Sequence, residues 1–265
     1  MRIPTLLALT LLFACSSPER PDTADTAAEA LLTEQRSPDL DFAGRGQVIT
    51  FETPQDRTGR AYIIKSEQPS TNYLILFHEW WGLTNGIKRE AERYFDRFDE
   101  VNVVAIDLYD GRTATHAAEA QSLVAQLSND KALDIIGGLL AYAGPEAELL
   151  TLGWDTGAYW ALRTAVEAGP QAVGCVMYYG EAVTDARDLI GLEAPVLYLV
   201  GDLDDFISQQ SVERFVALGR ALNKDIAVGR YNAAHNFANT ESPRYNEAVA
   251  RRANLRVMQF IAEQL

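Results

Sequence analysis

Short runs that are apolar at almost every position, rather than at every second one, set the strongest limit on how this chain can fold. They cover residues 73–77, 101–106, 149–152, 173–179, 196–200 and 226–228. A strand with alternating character has one wet face; these have none, so they need cover on both sides, as in a parallel sheet flanked by helices. Amphipathic segments lie between and beside them, at 87–98, 117–127, 132–143, 158–168, 212–222 and 245–265. Thr115, Ser128, and Ser242 followed by Pro243 stand where capping residues open such segments. Two further runs, 48–51 and 61–64, read as an opening strand pair around the turn-like stretch 54–59. Strand and helix alternate to the C-terminus, which predicts a doubly wound, mostly parallel α/β sheet with helices on both faces. No insertion in that alternation is long enough for a separate lid domain.

The 265 residues suit one α/β domain, and 48% hydrophobic with 23% charged residues are ordinary for a chain with a proper core. The formal charge of −14 argues against nucleic acid or an anionic membrane surface as partner. Residues 1–15 stand apart from the fold. Arg2 precedes an apolar run at 6–13 that is too short to span a bilayer and reads as an export signal. Ala14-Cys15 makes it similar to a bacterial lipoprotein signal, which implies Cys15 as the lipidated residue. Ser16, in place of an aspartate, implies the outer membrane facing the periplasm, with the membrane met only through that anchor. An ordinary cleaved signal is the alternative. Residues 16–45, rich in Ser, Pro, Asp, Thr, Ala and Glu, read as a tether, leaving 46–265 as the folded domain. Cys175 is then the remaining cysteine, so the domain forms no internal disulfide, and its apolar surroundings point to a packed thiol.

Reactive groups in doubly wound folds gather at the carboxyl ends of the strands. Those positions hold His78-Glu79-Trp80-Trp81, then Asp107, Tyr109, Asp110 and Arg112, then Asp155, then Asp202, Asp204 and Asp205, and finally His235. Gly153-Trp154-Asp155-Thr156-Gly157 lies between an apolar run and a helical pattern, the setting of a strand–turn–helix elbow that lifts one side chain clear of the backbone. Asp155, an acid among residues 202–205 and His235 follow the chain order of nucleophile, acid and base. Of the other histidines, His78 suits a backbone-fixing role at a strand end, and His116 an exposed place at a helix start.

These residues resemble the dienelactone hydrolases, a branch of the α/β-hydrolase fold, and most of all an exported bacterial branch. The likeness rests on His78-Glu79-Trp80-Trp81-Gly82-Leu83, Asp107-Leu108-Tyr109-Asp110-Gly111, Cys175-Val176-Met177-Tyr178-Tyr179-Gly180 and His235-Asn236-Phe237-Ala238-Asn239, and runs from about residue 46 to the end. It implies His235 as general base, Asp204 as the carboxylate that orients it, and the backbone N–H groups of Thr156 and Trp80 as oxyanion donors. It implies Glu79 against the nucleophile, and Trp81, Tyr109, Arg112 and Asn239 as substrate-contacting positions. The family's elbow carries cysteine where this chain has Asp155. One of the arginines with which the family holds a substrate carboxylate is here Asn239, and Arg112 is offset by one residue from the other, which argues against dienelactone itself as substrate.

Aspartate nucleophiles form an ester with an alkyl carbon that water then cleaves. G-x-D-x-G-A is also similar to the elbow of haloalkane dehalogenases and epoxide hydrolases. The expected activity is therefore hydrolysis of a small organic electrophile, of the ester or lactone class by family and the alkyl halide or epoxide class by Asp155, with no cofactor and no metal. The rival expectation is a catalytically silent surface lipoprotein that binds a ligand or a partner. If Glu79 lies against Asp155, two carboxylates share one site and one of them is pushed toward protonation.

Overall fold

The computed structural model describes residues 42–265, so the export segment, Cys15 and most of the expected tether lie outside the described residues. One sheet holds eight strands: β1 (Gln47–Glu52), β2 (Thr58–Ile64), β3 (Asn72–Phe77), β4 (Asn102–Asp107), β5 (Glu148–Trp154), β6 (Ala172–Tyr178), β7 (Val196–Gly201) and β8 (Ile226–Tyr231). Their spatial order is β1-β2-β4-β3-β5-β6-β7-β8. The β1–β2 and β2–β4 pairings are antiparallel, and every pairing from β4 across to β8 is parallel. The order reverses at β3, and β5 lies beside it near the middle of the sheet, so the elbow after β5 opens at the switch point where such folds place ligands.

The both-face burial expected from the apolar runs is what builds the core. Along β3, Leu74 and Leu76 face one layer while Ile75 and Phe77 face the other; β4 divides likewise into Val103 and Ala105 against Val104 and Ile106. Helices α1 (Asn85–Phe95) and α6 (Glu247–Gln264) cover the first layer through Ala91, Tyr94, Val257 and Ile261. Helices α2 (Ala117–Gln126), α3 (Asn129–Ala143), α4 (Thr156–Ala168) and α5 (Gln209–Ala221) cover the second through residues such as Leu123, Ile136, Leu162 and Phe215. Cys175 is fully buried, and burial pushes its thiol up to about 12, as a packed rather than reactive cysteine requires. Among the described residues no helix is long and apolar enough to cross a membrane.

Helix starts depart from the sequence reading at two places. Ser128 caps α3 as expected, its hydroxyl accepting from the N–H of Lys131. Residue 116, not 115, caps α2: the Thr115 hydroxyl is taken by the His116 ring at 2.7 Å. Ser242-Pro243 does not open α6. Ser242 is drawn into a turn on Asn239, and Asn246 caps the helix by accepting from Val249 N–H. Ordered contacts also begin before residue 46, because Arg45 ion-pairs with Glu92 at 2.8 Å and Phe42 packs edge-on against Tyr62.

Candidate active site

Asp155 stands between β5 and α4 with φ 53° and ψ −124°, a backbone conformation that costs a non-glycine residue about 1–3 kcal/mol. Its neighbours make the turn obligatory. A β-carbon at Gly153 would overlap the Gly157 carbonyl, one at Gly157 would overlap the carbonyls of Phe77 and His78, and one at Gly180 would overlap the Asp155 carbonyl. The Asp155 N–H donates to Tyr178 O at 3.0 Å and its own carbonyl accepts from Ala158 N–H at 3.0 Å, tying the turn to β6 and to α4. Thr156 is the first residue of α4, so its N–H is among those a helix start leaves without an intrahelical partner.

Three elements converge on this elbow. His235 follows β8 and presents Nε2 to Asp155 Oδ1 at 3.5 Å, while its Nδ1–H donates to Asp204 Oδ2 at 2.9 Å. The other Asp204 oxygen accepts the N–H groups of Phe206 and Ile207 at 2.9 and 2.8 Å, which fixes the carboxylate in the loop after β7. Its competitors point elsewhere: Asp202 lies 3.6 Å from Arg230, and Asp205 accepts from Arg244 at 2.8 Å. The His235 ring is enclosed edge-on by Tyr179 and Phe206. Burial works against its charge, but the hydrogen bonds to Asp155 and Asp204 outweigh that, and the imidazole is pushed up to about 10. At neutral pH the group is therefore an imidazolium between two carboxylates.

The loop after β3 is pinned by His78. Its Nδ1–H donates to the Glu79 carbonyl at 2.7 Å and its Nε2 accepts the Leu108 N–H at 3.2 Å, so the ring is neutral and structural. Burial holds it below the ordinary imidazole range. Gly82 N–H closes a turn on the same carbonyl, and this turn sets the position of Trp80. His116 is exposed. The Glu79 carboxylate, expected against Asp155, is held by Asn239 Nδ2 at 2.6 Å and by the Tyr179 hydroxyl at 3.4 Å. Burial first, and then the charge of Glu79, keep that phenol well above its usual range and so protonated.

Two cavities flank this wall of side chains. A groove of about 680 Å³ opens over Asp155 and His235; Trp80, Tyr109, Tyr159, Trp160 and Phe206 line it. Burial, with the Asp155 charge adding to it, raises the Tyr109 hydroxyl above its usual range, so it stays protonated in the groove. Trp81 and Asn239 line a separate, smaller cavity with Trp154 and Tyr179. The two neighbouring indoles thus line different cavities, although their rings lie 4.6 Å apart. Arg112 lines neither; its guanidinium donates to Tyr109 O and Gln126 Oε1. Of the four expected substrate contacts, only Tyr109 meets the groove.

Sequence reasoning gave no role to Tyr179, Tyr159, Trp160, Phe206 or Glu181, all beside Asp155 or in the groove. The signal existed for some of them. Tyr179 directly follows a strand end, and Tyr159 stands four residues after Asp155, one helical turn along. Among the described residues no group of three or more His, Cys, Asp or Glu side chains is arranged to hold a metal ion.

With this geometry in hand, comparison with known proteins is specific. Residues 60–265 match the model of the dienelactone hydrolase family. The chain is 22% identical to protein usf of Aquifex pyrophilus over 179 residues, covering 63% of this chain and 75% of that one. It is 22% identical to carboxymethylenebutenolidase 1 of Cupriavidus pinatubonensis over 220 residues, 76% of this chain and 90% of the other. Its fold is shared with a dienelactone-hydrolase-like promiscuous phosphotriesterase from metagenomic libraries, with TM-score 0.70, 18% identity, and coverage of 83% of this chain and 99% of that one.

Proposed function

Because the chain belongs to the dienelactone hydrolase family, whose chemistry is hydrolysis of the ester and lactone type, we propose that it opens a strained carbon–oxygen electrophile, an epoxide or small-ring lactone, by attack of Asp155 at an alkyl carbon. The observation behind this reading is the array itself: a carboxylate on the elbow, 3.5 Å from an imidazolium that a second, buried carboxylate holds. A carboxylate attacking a carbonyl would form a high-energy anhydride, whereas attack at an alkyl carbon forms an ordinary ester. The imidazolium favours an epoxide, whose departing alkoxide needs a proton, over a halide or a lactone's carboxylate, which do not.

In the first step Asp155 Oδ bonds to the alkyl carbon and the ring C–O bond breaks. The departing oxygen keeps the electron pair and takes the Nε2 proton of His235, with the Tyr109 hydroxyl as hydrogen-bond donor. Esterification removes the charge of Asp155, so one of the two groups raising the imidazole is gone and His235 becomes a neutral base. It then takes a proton from water as the hydroxide bonds to Asp155 Cγ. The resulting oxyanion is stabilised by the N–H groups of Thr156 and Trp80. Collapse breaks the Cγ–O(alkyl) bond, the product oxygen takes the proton back from His235, and the new Asp155 carboxyl re-protonates the imidazole. Asp204 orients the ring throughout.

The test is where the water oxygen goes. In a single turnover in water labelled with heavy oxygen, with enzyme in excess, the label is expected in the peptide that contains Asp155, and product is expected to emerge unlabelled. Label in product and none in that peptide rules out the carboxylate nucleophile.

We also propose that Cys15 anchors the protein by lipid at the bacterial envelope, in the outer membrane facing the periplasm, as the signal-like segment before it suggests. Wild-type protein is then expected in the detergent phase of a phase partition and Cys15→Ala in the aqueous phase, with equal melting temperatures. Wild type in the aqueous phase with an unmodified N-terminal segment defeats the assignment.

A further inference from the structure

The groove over Asp155 has a chemistry of its own, and it selects by charge. Its volume of about 680 Å³ suits a ligand of several rings' size. Aromatic faces from Tyr109, Tyr159 and Trp160 and aliphatic surface from Val124, Leu127 and Ile207 make most of its wall. The charged groups in the lining are Asp155, His235 and Glu181. His235 is neutralised between Asp155 and Asp204, which leaves the site with excess negative charge before Glu181 is added. Among the described residues no lysine or arginine lines it: Arg112 is turned to Tyr109 O and Gln126 Oε1, and Arg163 pairs with Asp188 at 2.6 Å.

Glu181 is an exposed carboxylate with no hydrogen-bonded or ion-paired cation among the described residues. The backbone that precedes it is fixed. Gly180 packs against the Asp155 carbonyl so closely that a β-carbon would not fit, and Tyr198 donates its hydroxyl to Gly180 O at 2.6 Å. Glu181 thus leaves a fixed point of the chain to line the groove, one residue from a backbone contact with the nucleophile's own turn.

We propose that this site takes a small aromatic electrophile bearing a protonated amine, with Glu181 as the residue that selects the ammonium and rejects carboxylates. The aromatic body occupies the wall of rings, the ammonium pairs with Glu181, and nearby π faces add cation–π attraction. A carboxylate-bearing ligand meets unbalanced negative charge and no lysine or arginine to offset it, so like-charge repulsion disfavours it. This identifies the substrate class for the reaction proposed above and rests on the same groove.

Three aryl glycidyl ethers that differ only in their para group (aminomethyl, hydroxymethyl or carboxymethyl) test it, together with the diols formed when each is opened. Diol binding is read by tryptophan fluorescence, since Trp80 and Trp160 line the groove, and needs no chemistry. The amine diol is expected to bind wild type at least about tenfold more tightly than the carboxylate diol, more so at low salt where screening is weak. Glu181→Gln is expected to narrow that ratio to about threefold or less, and Glu181→Lys to reverse it. Equal or tighter binding of the carboxylate to wild type, an unchanged ratio in both variants, or no binding of any diol overturns the proposal. If the diols rank as stated but no ether is opened, the groove assignment stands and the reaction falls; if the ethers are opened without regard to charge, the reverse holds.

Discussion

Replacing His235 by Gln is expected to stop the reaction halfway and leave the substrate bound covalently to Asp155. Attack on the alkyl carbon keeps the Asp155 carboxylate and the correct turn; without the His235 proton the departing oxygen must be protonated from solvent, so the adduct forms more slowly than in the wild type. Cleavage of the ester needs a base on water, which glutamine is not. Turnover should fall by roughly 10²–10⁴, the contribution of a positioned general acid–base, while intact mass rises by one substrate and peptide mapping places the adduct at Asp155. A variant that turns over as fast as the wild type, or that opens substrate slowly with no adduct at Asp155, removes His235 from the base role.

The same variant separates catalysis from stability. The folded imidazole titrates near 10 against an ordinary 6.5, so its ion pairs stabilise the fold fully below about pH 6.5. That contribution declines as pH rises from 6.5 to 10, because the unfolded chain has lost the proton that the folded chain still holds. Denaturant midpoints of the wild type should drop between pH 7 and 10 more steeply than those of His235→Gln, and parallel curves would show that His235 is not held as an imidazolium.

Asp155→Cys is expected to give the chain the ester hydrolysis that the aspartate denies it. The strained turn, the helix N-terminus and the Asp204–His235 pair do not depend on the side chain at 155. Loss of the Asp155 carboxylate removes one of the two hydrogen bonds that raise His235, so the imidazole returns toward neutrality and becomes able to deprotonate a thiol. A thiolate there can form a true acyl-enzyme. Hydrolysis of p-nitrophenyl acetate should rise at least about a hundredfold above the Asp155→Cys, His235→Ala double variant, the lower end of a general base's effect. If the single variant folds and shows no advantage over the double, the groups around Asp155 do not form a working hydrolase site.

The sequence alone was enough for the sheet, the two covering layers and the chain order of Asp155, Asp204 and His235. Strand burial on both faces is local information, since an apolar run such as 73–77 has no other stable use, and the glycines at 153 and 157 advertise a turn that only they permit. What the tertiary structure decided are directions rather than positions. Asp202, Asp204 and Asp205 are equivalent in sequence; Asp204 reaches His235 because the backbone N–H groups of Phe206 and Ile207 hold its other oxygen, while arginines from distant elements take the other two. Adjacent residues Trp80 and Trp81 line different cavities although their rings lie 4.6 Å apart, which spacing along the chain does not foretell. Asn239 and Arg112 left the groove for partners 160 and 14 residues away. Such choices follow from non-local hydrogen bonds and loop dihedrals, which residue spacing along one chain does not encode.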